Sequence, residues 1–293
     1  MGDQHMAMPP SWPDRIRALA AGELQPVAAR RAATVVLLRE TGGGLQAYLL
    51  RRRTTMAFAA GMYAFPGGAV DPRDGEGRIG WAGPPPEEWA LRLGTDRASA
   101  QAVVCAAVRE TFEESGVLLA GPDGESVVAD TSGPGWQQDR ADLEAHRLSF
   151  AEFLARRGLV LRSDLLGAWA RWITPEFEER RYDTWFFAAV LPGGQRAADS
   201  TGEADRVTWT EPSEAVRGFE AGQLGMLPPT ITVLRELAPL TSPRTVLEAA
   251  ATRTLAPVMA RIRVDGDRVT VRWPGYERLT LDGVFPAAAD GAR

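Results

Sequence analysis

The chain has 293 residues, of which 45% are hydrophobic and 24% are charged, the balance expected of an ordinary globular protein with a substantial core. The formal net charge of −5 gives no reason to expect nucleic acid as a partner. Lysine is absent, which excludes a Walker-type phosphate loop and Schiff-base catalysis. The single cysteine, Cys105, excludes an intrachain disulfide. No apolar run approaches the roughly 18 residues that span a bilayer, so we expect a cytoplasmic protein without a membrane partner.

The first part of the chain predicts a hairpin followed by a loop of small residues. Residues 34–39 and 45–52 have the composition of two strands around the glycine-rich turn 41–44. The loop 61–68 comes next. Residues 71–97 are rich in proline, glycine and aspartate and resemble an insertion that contains one short helix.

Residues 98–115 form the most strongly predicted helix. Apolar residues recur at helical spacing along one face, and Gly116 is a plausible C-terminal stop. The residues of that face are Ala100, Val103, Val104, Ala107, Val108 and Thr111.

The rest of the chain alternates strands with helices, and we expect helices on both faces of a mixed sheet, an α/β/α sandwich. The predicted elements are one or two helices over 136–157, strands over 165–173, 184–190 and 206–210, helices over 211–221, 228–238 and 242–254, and a hairpin over 259–272.

Three carboxylates lie near the C-terminal end of the predicted helix 98–115. Glu110, Glu113 and Glu114 stand at i, i+3 and i+4 and therefore lie on one helical face, where their charges repel. A hard divalent cation such as Mg²⁺ would offset that repulsion, because it prefers oxygen ligands. The residues alone leave open the alternative of a solvated acidic face.

The segment Arg109-Glu110-x-x-Glu113-Glu114-x-Gly116 resembles the second half of the Nudix box, and residues 65–68 (Phe-Pro-Gly-Gly) resemble its start. The separation between the two halves is longer than in the common form of the box, and Gln101 stands at the offset of its middle glutamate. An insertion at this point resembles the one found in a Nudix subgroup, the acyl-CoA diphosphatases of the nucleoside diphosphate-linked moiety X motif 19 type. Further segments resemble that subgroup: Leu-Leu-Arg-Arg at 49–52, Trp-Ile-Thr-Pro at 172–175 and Met-Leu-Pro-Pro at 226–229.

The resemblance implies roles for particular residues. Glu110, Glu113 and Glu114, with the backbone carbonyl of Gly68, would bind Mg²⁺ or Mn²⁺, while Arg109 would orient the glutamates. Glu203 would be a further ligand or general base, and Glu176, Glu178 and Glu179 compete for that role. Gly67 and Gly68 would belong to the cofactor-binding residues, together with Arg51 and Arg52, which would contact substrate phosphates. Strand alternation sends Arg51 and Arg52 to opposite faces, so at least one arginine of this run would serve only an exposed face.

The implied activity is the hydrolysis of a diphosphate bond in a nucleotide derivative. CoA or acyl-CoA is the first choice, giving adenosine 3′,5′-bisphosphate and a 4′-phosphopantetheine derivative. NADH, ADP-ribose, dinucleoside polyphosphates and oxidised nucleoside triphosphates are alternatives, as is a Nudix-fold sensor that binds a nucleotide without cleaving it. We also expect a homodimer. The boundaries are residues 1–6 as a cloning remnant, 7–30 as a lead-in, 31–240 as the Nudix domain with its insertion, and 241–293 as an extension of helix and hairpin packed on the same domain.

Overall fold

A computed structural model describes residues 11–42, 44–54, 59–198, 204–266 and 268–284. Its mixture of sheets and helices confirms the α/β prediction. Within this part of the chain, no helix is both long and apolar enough to cross a membrane. The chain divides into two compact units: residues 31–171 with 184–256, and residues 1–30 with 172–183 and 257–293.

The helices and strands follow the predicted order, with additional short strands. The helices are α1 (Trp12–Ala20), α2 (Pro86–Leu93), α3 (Arg97–Ser115), α4 (Pro134–Glu144), α5 (Phe150–Arg157), α6 (Pro212–Glu220), α7 (Pro228–Leu237) and α8 (Pro243–Thr252), with 3₁₀ turns at Pro72–Gly75 and Ser163–Leu165. The strands are β1 (Arg30–Thr41), β2 (Gly44–Arg52), β3 (Tyr63–Ala64), β4 (Gly67–Ala69), β5 (Trp81–Ala82), β6 (Ala120–Gly121), β7 (Val160–Arg162), β8 (Gly167–Ile173), β9 (Tyr182–Val190), β10 (Ala204–Thr210), β11 (Pro257–Met259), β12 (Arg261–Asp265), β13 (Arg268–Trp273) and β14 (Tyr276–Val284).

A sheet with the strand order β10-β2-β1-β9-β8 forms the centre of the larger unit. Val35, Val36, Leu37 and Leu38 are consecutive in β1 and all fully buried. Successive side chains of a strand point to opposite faces, so both faces of this sheet are covered. Val35 and Leu37 share a core cluster with α3, while α6 contacts β2.

Helix α3 lies in the core of the larger unit. Asp96 caps its first turn by accepting a hydrogen bond from Ser99 N at 2.9 Å, and Gly116 ends it in the left-handed region with φ of 72°. The predicted apolar face is buried, but so are Cys105 and Phe112 outside it. Other elements therefore cover a larger part of the surface of α3 than the single predicted apolar face indicates.

The insertion supplies part of that additional packing. Trp89 and Leu93 of α2 belong to the same core cluster as α3. Arg92 donates hydrogen bonds to the backbone carbonyls of Ala250 and Arg253 at the end of α8. The helical part of the insertion is therefore integral to the larger unit.

The smaller unit joins α1 to a three-stranded sheet with the order β12-β13-β14. Trp12 of α1 packs edge-on against Phe177 at 4.8 Å between ring centroids. The predicted late hairpin corresponds to β12 and β13, although Asp267 of its turn lies outside the described residues. Sequence analysis missed β14 and the small sheet β5-β7-β6, whose strands of two or three residues are too short to show a period.

Candidate active site

The three glutamates lie in the last two turns of α3. Glu113 and Glu114 are buried, and the side chain of Glu110 is 13% exposed. Arg140 of α4 donates from Nε to the backbone carbonyl of Glu113 at 2.7 Å. This contact satisfies a carbonyl at the helix C-terminus, where a cation is also favoured by the helix dipole.

Arg109 is the centre of the charged cluster. Its Nη1 donates to Glu110 Oε1 at 2.9 Å and to Glu113 Oε1 at 3.2 Å. Its Nη2 donates to the backbone carbonyl of Ala69 at 3.0 Å. Its Nε and Nη2 also bind both carboxylate oxygens of Asp74, each at 2.9 Å. One buried guanidinium thus connects α3, the glycine loop (residues 65–69) and the insertion (residues 71–97).

The glycine loop lies directly against the end of α3. In β4, Gly67 pairs with Thr34 and Gly68 pairs with Ala33 of β1, which anchors the loop to the central sheet. Gly67 N donates to Glu114 Oε2 at 2.7 Å. A Cβ atom at Gly68 would lie 2.6 Å from Glu110 Cδ, so only glycine allows this close approach. The two halves of the box, distant in sequence, are therefore in contact.

Burial changes the ionisation of this cluster. Desolvation raises the pKa of Glu110 to about 7, although the neighbouring Arg109 opposes the shift. Desolvation likewise raises the pKa of Glu113 and of Asp74, again opposed by Arg109. The ionised forms of these carboxylates are therefore destabilised, and an additional positive charge would restore them.

The donor set fits a hard divalent cation. It consists of the carboxylates of Glu110, Glu113 and Glu114, with the backbone of Gly68 in close approach to Glu110. Among the described residues, no group of three carboxylate, histidine or cysteine side chains already has the arrangement of a metal site. The three glutamates are instead bonded to protein donors. Arg109 Nη1 donates to both Glu110 and Glu113, and Gly67 N donates to Glu114.

The remaining predicted residues are less closely grouped. Arg51 of β2 forms an ion pair with Asp205 of β10 at 2.7 Å, and its side chain is 39% exposed. Arg52 is half-buried beside it, and its backbone carbonyl accepts from Gly61 N at 3.0 Å. Glu203 lies outside the described residues.

The alternatives to Glu203 have contacts inside the smaller unit. Glu178 accepts a hydrogen bond from Trp12 Nε1 at 2.8 Å, and Glu179 forms an ion pair with Arg15 at 3.0 Å. These contacts give both side chains a structural role in that unit.

Sequence analysis missed Asp74 and Arg140. Asp74 belongs to the segment Asp71-Pro-Arg-Asp, whose aspartate and proline are typical of a capped turn. That signal predicts the turn, but not that its second carboxylate binds Arg109. Nothing in the local sequence indicates the contact of Arg140 with Glu113.

Comparison with known proteins identifies similar sequences and a similar fold. The sequence model of the NUDT19 Nudix domain family matches residues 92–237, which include α3 but not the glycine loop. The crystal structure of a NUDIX hydrolase from Alicyclobacillus acidocaldarius superposes with a TM-score of 0.61 at 28% identity, covering 79% of this chain and 99% of that one. These two matches support a Nudix hydrolase that resembles NUDT19.

Curated relatives define the branch of the family. Putative nudix hydrolase 7 of Caenorhabditis elegans is 28% identical over 214 residues, covering 71% of this chain and 60% of that protein. Human acyl-coenzyme A diphosphatase NUDT19 is 27% identical over 229 residues, covering 67% of this chain and 61% of that protein. The chain therefore resembles the NUDT19 branch, and it spans less than two thirds of the length of these two relatives.

Proposed function

We propose that this chain is a divalent-cation-dependent diphosphatase that uses water to cleave a diphosphate bond in a nucleotide derivative. The observation that carries the proposal is the contact between the glutamates of α3 and the loop Gly67–Gly68, with Arg109 bonded to Glu110 and Glu113. This contact concentrates carboxylate and carbonyl oxygens beside a backbone that has no side chains to block a phosphate.

Glu110, Glu113, Glu114 and the carbonyl of Gly68 would hold Mg²⁺ or Mn²⁺. When bound, the cation would neutralise charge on the diphosphate oxygens and lower the pKa of a bound water. Glu113 and Glu114 would turn from their present donors, Arg109 and Gly67 N, toward the cation. Arg109 would keep Glu110 in position, and Glu203 would accept the proton of the attacking water.

Arg51 would bind a phosphate of the substrate, and Arg52, on the opposite face of the strand, would not share this role. Arg51 is half-exposed and its partner Asp205 is on the neighbouring strand, so a phosphate could replace that carboxylate at small cost. A guanidinium presents two parallel N–H donors, which suit a phosphate better than a single carboxylate oxygen does.

CoA or an acyl-CoA is the proposed substrate, with adenosine 3′,5′-bisphosphate and a 4′-phosphopantetheine derivative as products. Support comes from the NUDT19 domain match and from relatives named acyl-coenzyme A diphosphatase, at 25–27% identity. Other nucleotide diphosphates would use the same carboxylates, so the substrate rests on the relatives. A cytoplasmic location and a homodimer stay predictions.

The test is a substrate panel read by mass spectrometry, with Mg²⁺ or Mn²⁺ and with a chelator. Glu113→Gln should lower turnover by at least about 100-fold, because it removes a charged ligand. Glu88→Gln, an exposed glutamate of α2, is the matched control and should leave turnover unchanged. Release of adenosine 3′,5′-bisphosphate from CoA or acyl-CoA supports the full proposal.

Two other outcomes would change the proposal. Cation-dependent cleavage of ADP-ribose, NADH or a nucleoside triphosphate, with CoA untouched, would retain the reaction and reject the substrate. Tight nucleotide binding with no cleavage of any compound in the panel would replace the enzyme with a sensor.

A further inference from the structure

We infer that Arg140 of α4 is a positioning residue for the proposed cation site, because it fixes the backbone of the α3 turn that carries Glu113 and Glu114. The inference rests on the proposed cation site. It assigns a role to a residue that lies outside the Nudix box and that neither the box pattern nor the comparisons identify.

The backbone carbonyl of Glu113 finds its partner outside α3. In a continuing helix the amide of Val117 would donate to this carbonyl. Gly116 ends the helix in the left-handed region, and Val117 N donates instead to the hydroxyl of Ser115 at 3.2 Å. Arg140 Nε donates to the Glu113 carbonyl in its place, at 2.7 Å. The last turn of α3 is therefore completed by a side chain of α4.

A second bond reaches α3 from the segment that leads into α4. Thr131 Oγ1 donates to the backbone carbonyl of Gly116 at 2.7 Å. Gln137 connects the two contacts, because its Nε2 donates to the Thr131 carbonyl at 3.0 Å and its Oε1 accepts from Arg140 Nη1 at 3.4 Å. Thr131, Gln137 and Arg140 form what we call the helix-end clamp. The clamp holds the backbone on both sides of Glu114.

The surroundings of Arg140 favour this one contact. Arg140 is only 9% exposed although it carries a charge. Among the described residues, no carboxylate lies within ion-pair distance of its guanidinium, and Glu144, Glu114 and Glu113 act on its charge from farther away. A charge-assisted bond to a carbonyl at the negative end of a helix is stronger than a neutral one. No carboxylate therefore draws the Nε donor away from the carbonyl of Glu113.

The backbone of this turn sets the starting points of two proposed ligands. Glu113 and Glu114 accept at present from Arg109 and from Gly67 N, and both side chains would turn toward a cation. Rotation of the side chains brings their oxygens to the cation only if the backbone that carries them stays in place. Arg140 therefore acts on both ligands through the α3 backbone, without touching either carboxylate.

Three substitutions at Arg140 separate its hydrogen bond from its charge. Glutamine has an amide nitrogen where arginine has Nε, so Arg140→Gln keeps the donor and removes the charge. Arg140→Lys keeps the charge, but its nitrogen lies farther along the side chain. Arg140→Met removes both the donor and the charge. Electron paramagnetic resonance of free Mn²⁺ measures the affinity of each full-length variant without substrate.

The hydrogen bond should decide the affinity. Arg140→Met and Arg140→Lys should weaken Mn²⁺ binding by about 10- to 100-fold, the range typical of residues that orient metal ligands. Arg140→Gln should restore most of that loss. In metal-free protein, the amides of residues 113–118 should exchange hydrogen faster in Arg140→Met than in Arg140→Gln, because a frayed turn loses protection.

Arg156→Met is the matched control. Arg156 also contacts α4, through an ion pair with Asp139 at 3.7 Å, but its side chain is 60% exposed and it is not part of the helix-end clamp. This variant should match wild type in Mn²⁺ affinity and in the exchange of residues 113–118. Losses equal to those of Arg140→Met would overturn the inference.

A second position covers loss of folding. Thr131→Val keeps the shape of the side chain and removes its bond to Gly116, so it loosens the same clamp from the other contact. It should also weaken Mn²⁺ binding. Wild-type affinity in a folded Arg140→Met protein would overturn the inference, as would wild-type affinity in Thr131→Val if Arg140→Met does not fold. Affinity retained in Arg140→Lys but lost in Arg140→Gln would overturn it too, because the charge would then matter and not the bond.

The outcomes separate this inference from the proposed function. Weakened Mn²⁺ binding in Arg140→Met, with no substrate cleaved by wild type, would retain the positioning role and reject the activity. Cleavage by wild type and by Arg140→Met at the same rate and Mn²⁺ affinity would do the reverse. Absence of Mn²⁺ binding by wild type would overturn both.

Discussion

Arg109 of α3 and Arg51 of β2 are both predicted to be site residues, but the fold holds them in opposite ways. The side chain of Arg109 is 6% exposed and bonds to Asp74, Glu110 and Glu113. That of Arg51 is 39% exposed and forms one ion pair, with Asp205. Several buried contacts therefore hold Arg109 in place, whereas Arg51 has a partly exposed ion pair, which we propose is exchanged for a substrate phosphate.

The same substitution at both positions tests this difference most directly. Arg109→Lys should lower the free energy of unfolding by about 3 kcal/mol, because lysine cannot bind both oxygens of Asp74 and leaves buried carboxylates underpaired. Arg51→Lys should change it by less than about 1 kcal/mol, as is usual for exposed pairs. Urea unfolding followed by tryptophan fluorescence measures both. Equal, small changes at both positions would show that the buried network around Arg109 adds no stability.

A substitution at Gly68 tests the close approach of the β4 backbone to Glu110 of α3. Gly68→Ala would place a Cβ 2.6 Å from Cδ of Glu110, which Arg109 already holds in place. We expect kcat/KM to fall by about 100-fold, the effect of misplacing a reacting group by roughly 1 Å. Gly42→Ala is the control, since its Cβ would meet nothing within 4 Å. Unchanged kcat/KM in a folded Gly68→Ala protein would mean that Glu110 moves freely.

The stability of the protein should also depend on pH, because burial raises the pKa of Glu110 and Arg109 offsets only part of that shift. Its folded-state pKa of about 7 exceeds the ordinary value of 4.5, so between these values the folded protein retains a proton that the unfolded chain has released. In metal-free buffer, stability should therefore fall as pH rises through that window.

Glu110→Gln isolates this contribution. Thermal melts between about pH 5 and about pH 8 should show a weaker decline in the variant than in wild type. Saturating Mn²⁺ should also flatten the wild-type profile, since a bound cation favours the ionised carboxylate. A wild-type profile that matches Glu110→Gln without metal would contradict the shifted pKa.

Local signals were sufficient to predict most of the larger unit. The apolar spacing from Ala100 to Thr111 and the stop at Gly116 predicted α3, because both depend on residues within one helix. The hairpin β1–β2 followed from strand composition around a glycine turn. The same reasoning failed for β5, β6 and β7, which exist only through pairing with one another.

The sequence by itself determined the chemistry of the candidate site. Glu110, Glu113 and Glu114 are neighbours on any helix, and a chain without lysine leaves arginine to bind phosphate. Only the tertiary structure decided which partners those residues have. Asp74 meets Arg109 and Gly67 meets Glu114 across long stretches of chain, and Arg51 pairs with Asp205 between strands. Such contacts depend on how packed elements approach each other, and no local periodicity encodes that approach.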